Sequence, residues 1–568
     1  MPGLVDLVNT RAITDEIRRQ RKALQRALTE VSIYTNPPTG HGLVFRGRFN
    51  VLDLVKYEFP RRDNISSSGT IKVRANHFLA KLIASIPNDS DERKNVIIRA
   101  DRFGGAWRWT GLLHHWQIET TDGVDYLTVT FNDDLQILQY LLCPPNPMLP
   151  IPVFQFPRDY FVFAPARWGA SVTALINVAR KELSLFNLPD DPFDLQSYVD
   201  ALDTRTWQVH VKCPSFVNDP SLWGVFASRM NSVDSVVADA IDDAQVSTIY
   251  RRIFTAEGET VTGLLNNDIA NGALVIEFVD RSGFSRDGGT FLSGNAWQGF
   301  ERSVLTWTAG FIEDTLTFVT DNETLYPDEY WQQGWMATLA SAPGICIRDS
   351  PWNDLRSVVT HSPATATEIV VGGDNPLADS LIKLTIESIG NLVGYFLLVG
   401  FDSLGTITAD IVMPFLVGTV AAWDVFKNFG RAQELGWVHL WDVYQSGAEQ
   451  NAWSISALAV GRGGMKDTAA ETSHSMVIDE STWLMPGLHC DIGDRMGSTS
   501  GALQRIGIDL MFVNQMKEMV LTGDQTGASQ FVMKCGQNKA AMSRGERDAR
   551  RMKKAMDKIA DIGVHLIQ

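Results

Sequence analysis

WRWTGLLHHWQIETTDGVDYLTVTFNDDLQIL, residues 107–138, reads as two β-strands around a tight turn. Asp122-Gly123 separates two alternating runs, and this dipeptide supplies the left-handed backbone that a two-residue hairpin turn needs. Trp107, Trp109, Tyr126, Val129 and Phe131 add bulky side chains that suit a pleated, half-buried surface. Working outward, residues 42–60 and 94–142 read as strands with a short helix near Arg74 to Ile86. Together they predict a first β-rich, barrel-like domain over 41–143.

Upstream, residues 12–31 predict a helix. Ile13, Ile17, Leu24, Leu28 and Val31 fall near one face and basic residues fill the other. Asn36-Pro-Pro-Thr-Gly closes an N-terminal helical arm, 1–40. The opening residues lack an apolar run behind a basic start, so no secretion signal is expected.

Downstream, CPPNPMLPIPVFQFP (143–157) is a stiff, proline-rich connector. It leads into a mixed α/β domain, 144–255, with helices from Ala164 to Phe186 and over 232–246, the second capped by Ser232 or Asp234. A β-rich segment follows over 256–345, with 283–295 as a glycine-rich loop. Residues 346–436 predict a helical block, with Asn375 as cap and Pro376 at the first helical position. Residues 437–535 read as a second β-rich domain, in which 486–497 joins strands through Gly-Asp turns. A C-terminal helix lies within 536–568, where Ala549, Met552, Met556 and Ile559 have heptad spacing and predict an oligomer contact. The tail from Arg544 to Lys558 holds seven basic and three acidic residues, which suits a solvated face, an acidic neighbouring subunit or nucleic acid.

Composition narrows the function. Fifty basic and 66 acidic residues give a formal charge of −16, which disfavours a surface built to grip nucleic-acid backbones. A negative wall still lets DNA slide past. Five scattered cysteines without a CxxC pair give neither a zinc knuckle nor a redox motif. The most apolar stretch, Leu381 to Phe426, is interrupted by Glu387, Asp402, Asp410 and Asp424. Its longest uncharged run is 14 residues, short of the roughly 18 that a spanning helix needs.

Chemical motifs are sparse. There is no Gly-Lys-Ser/Thr phosphate loop, no GxGxxG after a strand and no HExxH. Gly497-Ser-Thr-Ser-Gly501 has Thr499 where a nucleophile elbow has serine, and no strand-to-helix context is expected there. His114-His115 sits in a strand, where neighbours point to opposite faces. His489-Cys490-Asp491 lacks partners at ligand spacing. No catalytic residue, cofactor or metal site is expected. A hydrolase working through two carboxylates stays open, since sequence gives no distance between them. The tryptophan groups 331, 335, 352 and 437, 441, 453 suit interface packing or a sugar-binding platform.

Three stretches together resemble minor tail proteins of long-tailed phages of actinobacteria: residues 107–150, NPLADSLIKLTIESIGNLVGYFLLVGFDSLG (375–405) running on to Phe429, and LWDVYQSGAEQNAWSISAL (440–458) followed by GLHCDIGDRMG (487–497). Such proteins are similar to the central baseplate hubs of contractile-tailed phages. The resemblance implies a multidomain α+β protein with two tube-module-like β-barrel domains, the helical and mixed domains lying between them. It implies a trimer at the virion tail tip, made in the host cytoplasm. The expected partners are distal tail, tape-measure and tip or fibre proteins, with transient passage of DNA and contact with the host envelope. Some hubs carry fused lysozyme or peptidase domains, and no stretch here resembles one. Residues 381–426 would then be a buried block, or an element released against a membrane.

Overall fold

The computed structural model describes residues 7–149, 160–282, 345–348, 357–372, 423–445, 461–478 and 484–536 apart from short breaks, with a few positions in 296–320. The predicted heptad residues Ala549, Met552, Met556 and Ile559, the cap at Asn375 and the loop 283–295 lie outside the described residues.

The first part of the chain runs helix α1 (Leu7–Arg26), strands β1 (Glu30–Thr35), β2 (Val44–Phe49), β3 (Leu54–Arg62) and β4 (Ser68–Arg74), helix α2 (Phe78–Ser85), then β5 (Val96–Arg102), β6 (Trp107–Thr121) and β7 (Val124–Asp133). The hairpin forms as its sequence predicts: Asp122 and Gly123 have φ of 50° and 74°, and Thr121 pairs with Val124. Leu127, Val129 and Phe131 alternate inward along β7, and Gly69, Ile71 and Val73 do so along β4. Trp109 is buried and donates Nε1 to the Pro60 carbonyl at 2.7 Å. Gly111 and Gly69 make room for its ring: a Cβ on either would stand 2.8 Å from Trp109. The helix predicted over 12–31 ends earlier. Val31 belongs to β1, which is buried between β2 and β5, so the strand outcompetes the helical spacing that Leu24, Leu28 and Val31 suggest.

The middle part holds β8 (Tyr160–Pro165), α3 (Ala166–Glu182), α4 (Leu195–Leu202), β9 (Val209–Lys212), β10 (Trp223–Ser228), α5 (Val233–Asp243), β11 (Val246–Ile253) and β12 (Ala273–Asp280). β8 pairs with β10, while β11, β12 and β9 form a second sheet. Ala166, Ala170, Ala174 and Val178 recur at i, i+4 on α3 and face the core shared with α5. Of the two expected caps of α5, Ser232 is the one used: its Oγ accepts from the Ser235 amide.

The last part contains β13 (Phe318–Thr320), β14 (Ile345–Ile347), β15 (Ser357–Ser362), β16 (Ala366–Gly372), β17 (Trp423–Lys427), a short helix Phe429–Leu435, β18 (Leu440–Gln445), β19 (Glu471–Ile478), β20 (Arg495–Thr499), a helix Gly501–Arg505, β21 (Leu510–Asp524) and β22 (Ser529–Cys535). The described residues of 346–436 are mostly strands; residues 373–422, the centre of the expected helical block, lie outside the described residues. Val358, Val359, Ile369, Val370 and Val371 are β-branched and prefer a pleated backbone.

The early and late β-rich segments are joined. β21 pairs antiparallel with β3 from Glu518↔Arg62 to Asp524↔Lys56. One path of strands results, β15-β19-β22-β21-β3-β4-β7-β6-β5-β1-β2. Among the described residues this path is open, with β15 and β2 at its ends. The core follows the join: Phe59, Trp107 and Trp109 share one apolar cluster with Met516, Met519, Leu521 and Phe531. Two β-rich domains were expected from sequence; the backbone hydrogen bonds link their strands across one seam.

Candidate assembly interface

Charged side chains buried inside the body clamp its parts together. Arg99 donates to both oxygens of Glu257, at 2.8 and 2.9 Å. Arg108 holds Asp101 through two bonds of 2.7 and 2.8 Å and reaches Glu259 at 2.8 Å. Tyr34 adds a hydroxyl to Glu257 at 3.1 Å. These bonds lock the turn after β11 onto β1, β5 and β6. Hydrogen bonding from Arg99 holds Glu257 below the usual glutamate range. Burial alone would push Glu259 up, but bonds from Arg108 and the Phe254 amide outweigh it and hold it low.

A second clamp centres on Asp133, which is fully buried. Its carboxylate accepts from the Ser66 and Ser67 hydroxyls at 2.8 and 2.6 Å, the Ser67 amide at 2.8 Å and the Tyr250 hydroxyl at 3.1 Å. Burial still pushes this acid up despite the four donors. Next to it Asp134 takes two bonds from Arg252, at 2.9 and 2.6 Å. Across the seam, Glu518 of β21 accepts from Arg62 of β3 at 2.8 Å and from Lys534 of β22 at 2.6 Å. Burial raises Glu518, and these two cations outweigh it and hold it low. Arg61 meets Asp491 at 3.1 Å, tying the loop before β20 to β3.

The candidates read from sequence fall apart in space or serve the fold. His114 and His115 are exposed neighbours with ring centroids 5.1 Å apart and edge-on, at a bulge in β6. His489 Nδ1 accepts from the Met485 amide at 3.0 Å, Asp491 pairs with Arg61, and Cys490 is buried with its thiol pushed far up by burial. Among the described residues no group of three His, Cys, Asp or Glu is placed to hold a metal. Gly497–Gly501 does run from strand into helix, contrary to expectation, because β20 leads directly into Gly501–Arg505. Thr499 is nonetheless buried in β20 opposite Met511.

Sequence reading missed one pair. His474 Nδ1 lies 2.6 Å from Ser498 Oγ, a base and a hydroxyl in contact. Both are 1% exposed, so no substrate reaches them in this conformation. They meet because β19, β22, β21 and β20 lie side by side, which local spacing does not reveal.

The exposed apolar surface is extensive. β18 lies at the end of the β17-β16-β18 sheet with Leu440 and Trp441 outward. Trp437 is 97% exposed and Trp441 75%, with Val438 beside them. Phe429, Val425 and Tyr444 extend the same module's surface. Exposed apolar patches of this kind mark contact faces. Trp331, Trp335, Trp352 and Trp453 lie outside the described residues.

Minor tail protein Gp28 of Mycobacterium phage L5 is 27% identical over 485 residues, covering 77% of this chain and 80% of the relative. Its counterpart from Mycobacterium phage D29 is 26% identical over 494 residues, covering 78% and 81%. Among solved structures, the tail protein from Neisseria meningitidis MC58 aligns over 90% of this chain and 97% of its own length, at a TM-score of 0.38 and 9% identity. Prophage tail protein gp18 from Listeria monocytogenes EGD-e aligns over 94% and 100%, at a TM-score of 0.37 and 9% identity. Residues 30–537 match the family model described as Siphovirus ReqiPepy6 Gp37-like protein, and the chain belongs to that family.

Proposed function

We propose that the chain is a minor tail protein that acts as a structural hub subunit of the phage tail tip. Three copies close or nucleate the end of the tail tube, dock distal tail and tape-measure proteins, and open a path for DNA when the tip engages a host. In this reading the β-rich parts on either side of the β3–β21 seam are the two tube-like modules of each subunit. Three subunits then present six modules to a hexameric tube. The observation that carries the reading is the seam itself: strands from both ends of the family-matched span join into one braced body with wide apolar faces. The net charge of −16 suits a conduit that DNA must leave without sticking.

Gold-labelled antibody against the full chain, applied to intact virions, tests this directly. Label at the distal end of the tail is expected; label on the head or along the tube would overturn it. A second reading, a glycan-binding adhesin, is favoured by the exposed Trp437 and Trp441. Glycan binding by the purified protein that disappears in the W437A/W441A variant would move the assignment there. Turnover of peptidoglycan or arabinogalactan would move it to a hydrolase.

A further inference from the structure

Helix α1 stands apart from the body it belongs to. Its contacts with the body cluster in its last turns. Leu24 packs on the main core, the Gln25 carbonyl accepts from Arg102 at 3.1 Å, and Arg21 lies 3.2 Å from His489. Ile17 and Ile13 sit seven and eleven residues before Leu24, two and three turns back on the same stripe. They are 57% and 55% exposed. Among the described residues, the stripe that seats the end of the helix thus runs on as exposed side chains.

Charge sharpens this. The helix has six basic and two acidic residues, in a chain of net charge −16. Both of its carboxylates are taken up within the helix, Asp15 by Arg18 and Glu16 by Arg19, each at 3.6 Å. The arm also precedes the family-matched span, which begins at residue 30.

The complementary surface is on the same chain, at the far end of β6. From Gln117 to Tyr126 the hairpin tip carries Glu119, Asp122 and Asp125 and no basic residue; Lys72 of β4 pairs with Glu119 and Asp125 accepts from Thr120 at 2.7 Å, which leaves the tip acidic by two charges. Ile118 and Val124 there are 51% and 39% exposed. Leu24 lies beside Gly104, just before β6 begins. The tip lies the length of β6 away, about 45 Å for a 15-residue strand. A 20-residue helix spans about 30 Å. Ile13 lies eleven residues before Leu24, about 17 Å along the helix, so it falls short of its own subunit's tip.

We propose that α1 docks on the β6–β7 hairpin tip of a second copy of this chain, with Ile13 and Ile17 against Ile118 and the basic face against Glu119, Asp122 and Asp125. A contact between two different patches is heterologous, and repeated about an axis it closes a ring. The proposal rests on the homo-oligomer in the proposed function and names its contact.

Sedimentation velocity on the full chain tests it, in low and in 0.5 M salt, about a threefold rise over physiological ionic strength. The I13D/I17D variant is expected to associate at least tenfold more weakly with an unchanged melting temperature, because both residues are exposed. Reversing the tip (E119K/D122K/D125K) is expected to do the same, and adding R18E/R19E/K22E to that variant is expected to restore association. Wild-type protein that forms an oligomer unaffected by I13D/I17D would overturn the inference and leave the hub reading standing. Wild-type protein that stays monomeric at every concentration would overturn the reading beneath it. Arm variants of unchanged mass that lose retention of duplex DNA would assign the arm to nucleic acid and overturn the inference too.

Discussion

Glu518 shows how much a single carboxylate holds in this fold. It sits buried on β21 between Arg62 and Lys534, so it braces three strands at the seam. Its folded acidity lies below its ordinary value of 4.5. The stability it contributes is thus fully present above about pH 4.5 and is lost as the pH falls through the lower folded value. E518Q is expected to cost about 1–3 kcal/mol at pH 7, and the gap to wild type should narrow in acid; urea unfolding at both pH values checks it. Asp133 has the opposite sign, since burial raises it above 3.8. Its charge costs stability at neutral pH, and that cost eases as the pH falls into the range of its folded value. D133A is nevertheless expected to destabilise at pH 7 by about 2–4 kcal/mol, because it strands the buried Ser67 amide and Tyr250 hydroxyl and removes the acceptor of Ser66, while the Ser67 hydroxyl keeps the Pro60 carbonyl. A calorimetric melt measures it. None of these partners is visible in sequence. Asp133 and Tyr250 are 117 residues apart and Glu518 and Arg62 are 456 apart, and charged residues read locally as surface.

At the scale of elements, the hairpin was legible and its neighbours less so. Asp122-Gly123 and the period-two alternation of β7 are local signals, and both survive in the fold. The close approach of Gly111 to Trp109 is not a local signal. A Cβ at Gly111 would stand 2.5 Å from the Asn132 carbonyl oxygen, so G111A must push β6 from β7. A loss of about 1–3 kcal/mol is expected, read as a lowered denaturant midpoint. β1 was misread because Leu24, Leu28 and Val31 keep helical spacing across a boundary that only pairing with β2 and β5 decides. Within the block 346–436 the β-branched run at 357–372 forms strands where helix was expected, while the apolar text at 375–422 that carried the expectation lies outside the described residues. At β18 and in the turn before it, the exposed Trp441 and Trp437 contribute little to folding in this conformation. W437S/W441S is expected to change stability by no more than about 0.5 kcal/mol, while lowering incorporation into tails in a complementation assay.

Over the whole molecule, the family resemblance read from three separated stretches is borne out by the match over 30–537. What sequence left out was the join. Strand pairing across more than 450 residues follows from burial of a shared core, which no window of sequence contains. The amides of β3 and β21 that pair across the seam are expected to exchange hydrogen as one cooperative unit, with protection close to the global value. Separate exchange classes for the two strands would mean that the segments fold and move independently.

In the proposed tail-tip ring this joined body is the repeated unit. A cryo-electron-microscopy reconstruction of tail tips from intact virions measures that in one step. It is expected to find three copies around the tube axis at its distal end, each with β3 and β21 paired. A solitary copy, a position away from the tip, or β3 and β21 apart in the assembled particle would contradict it.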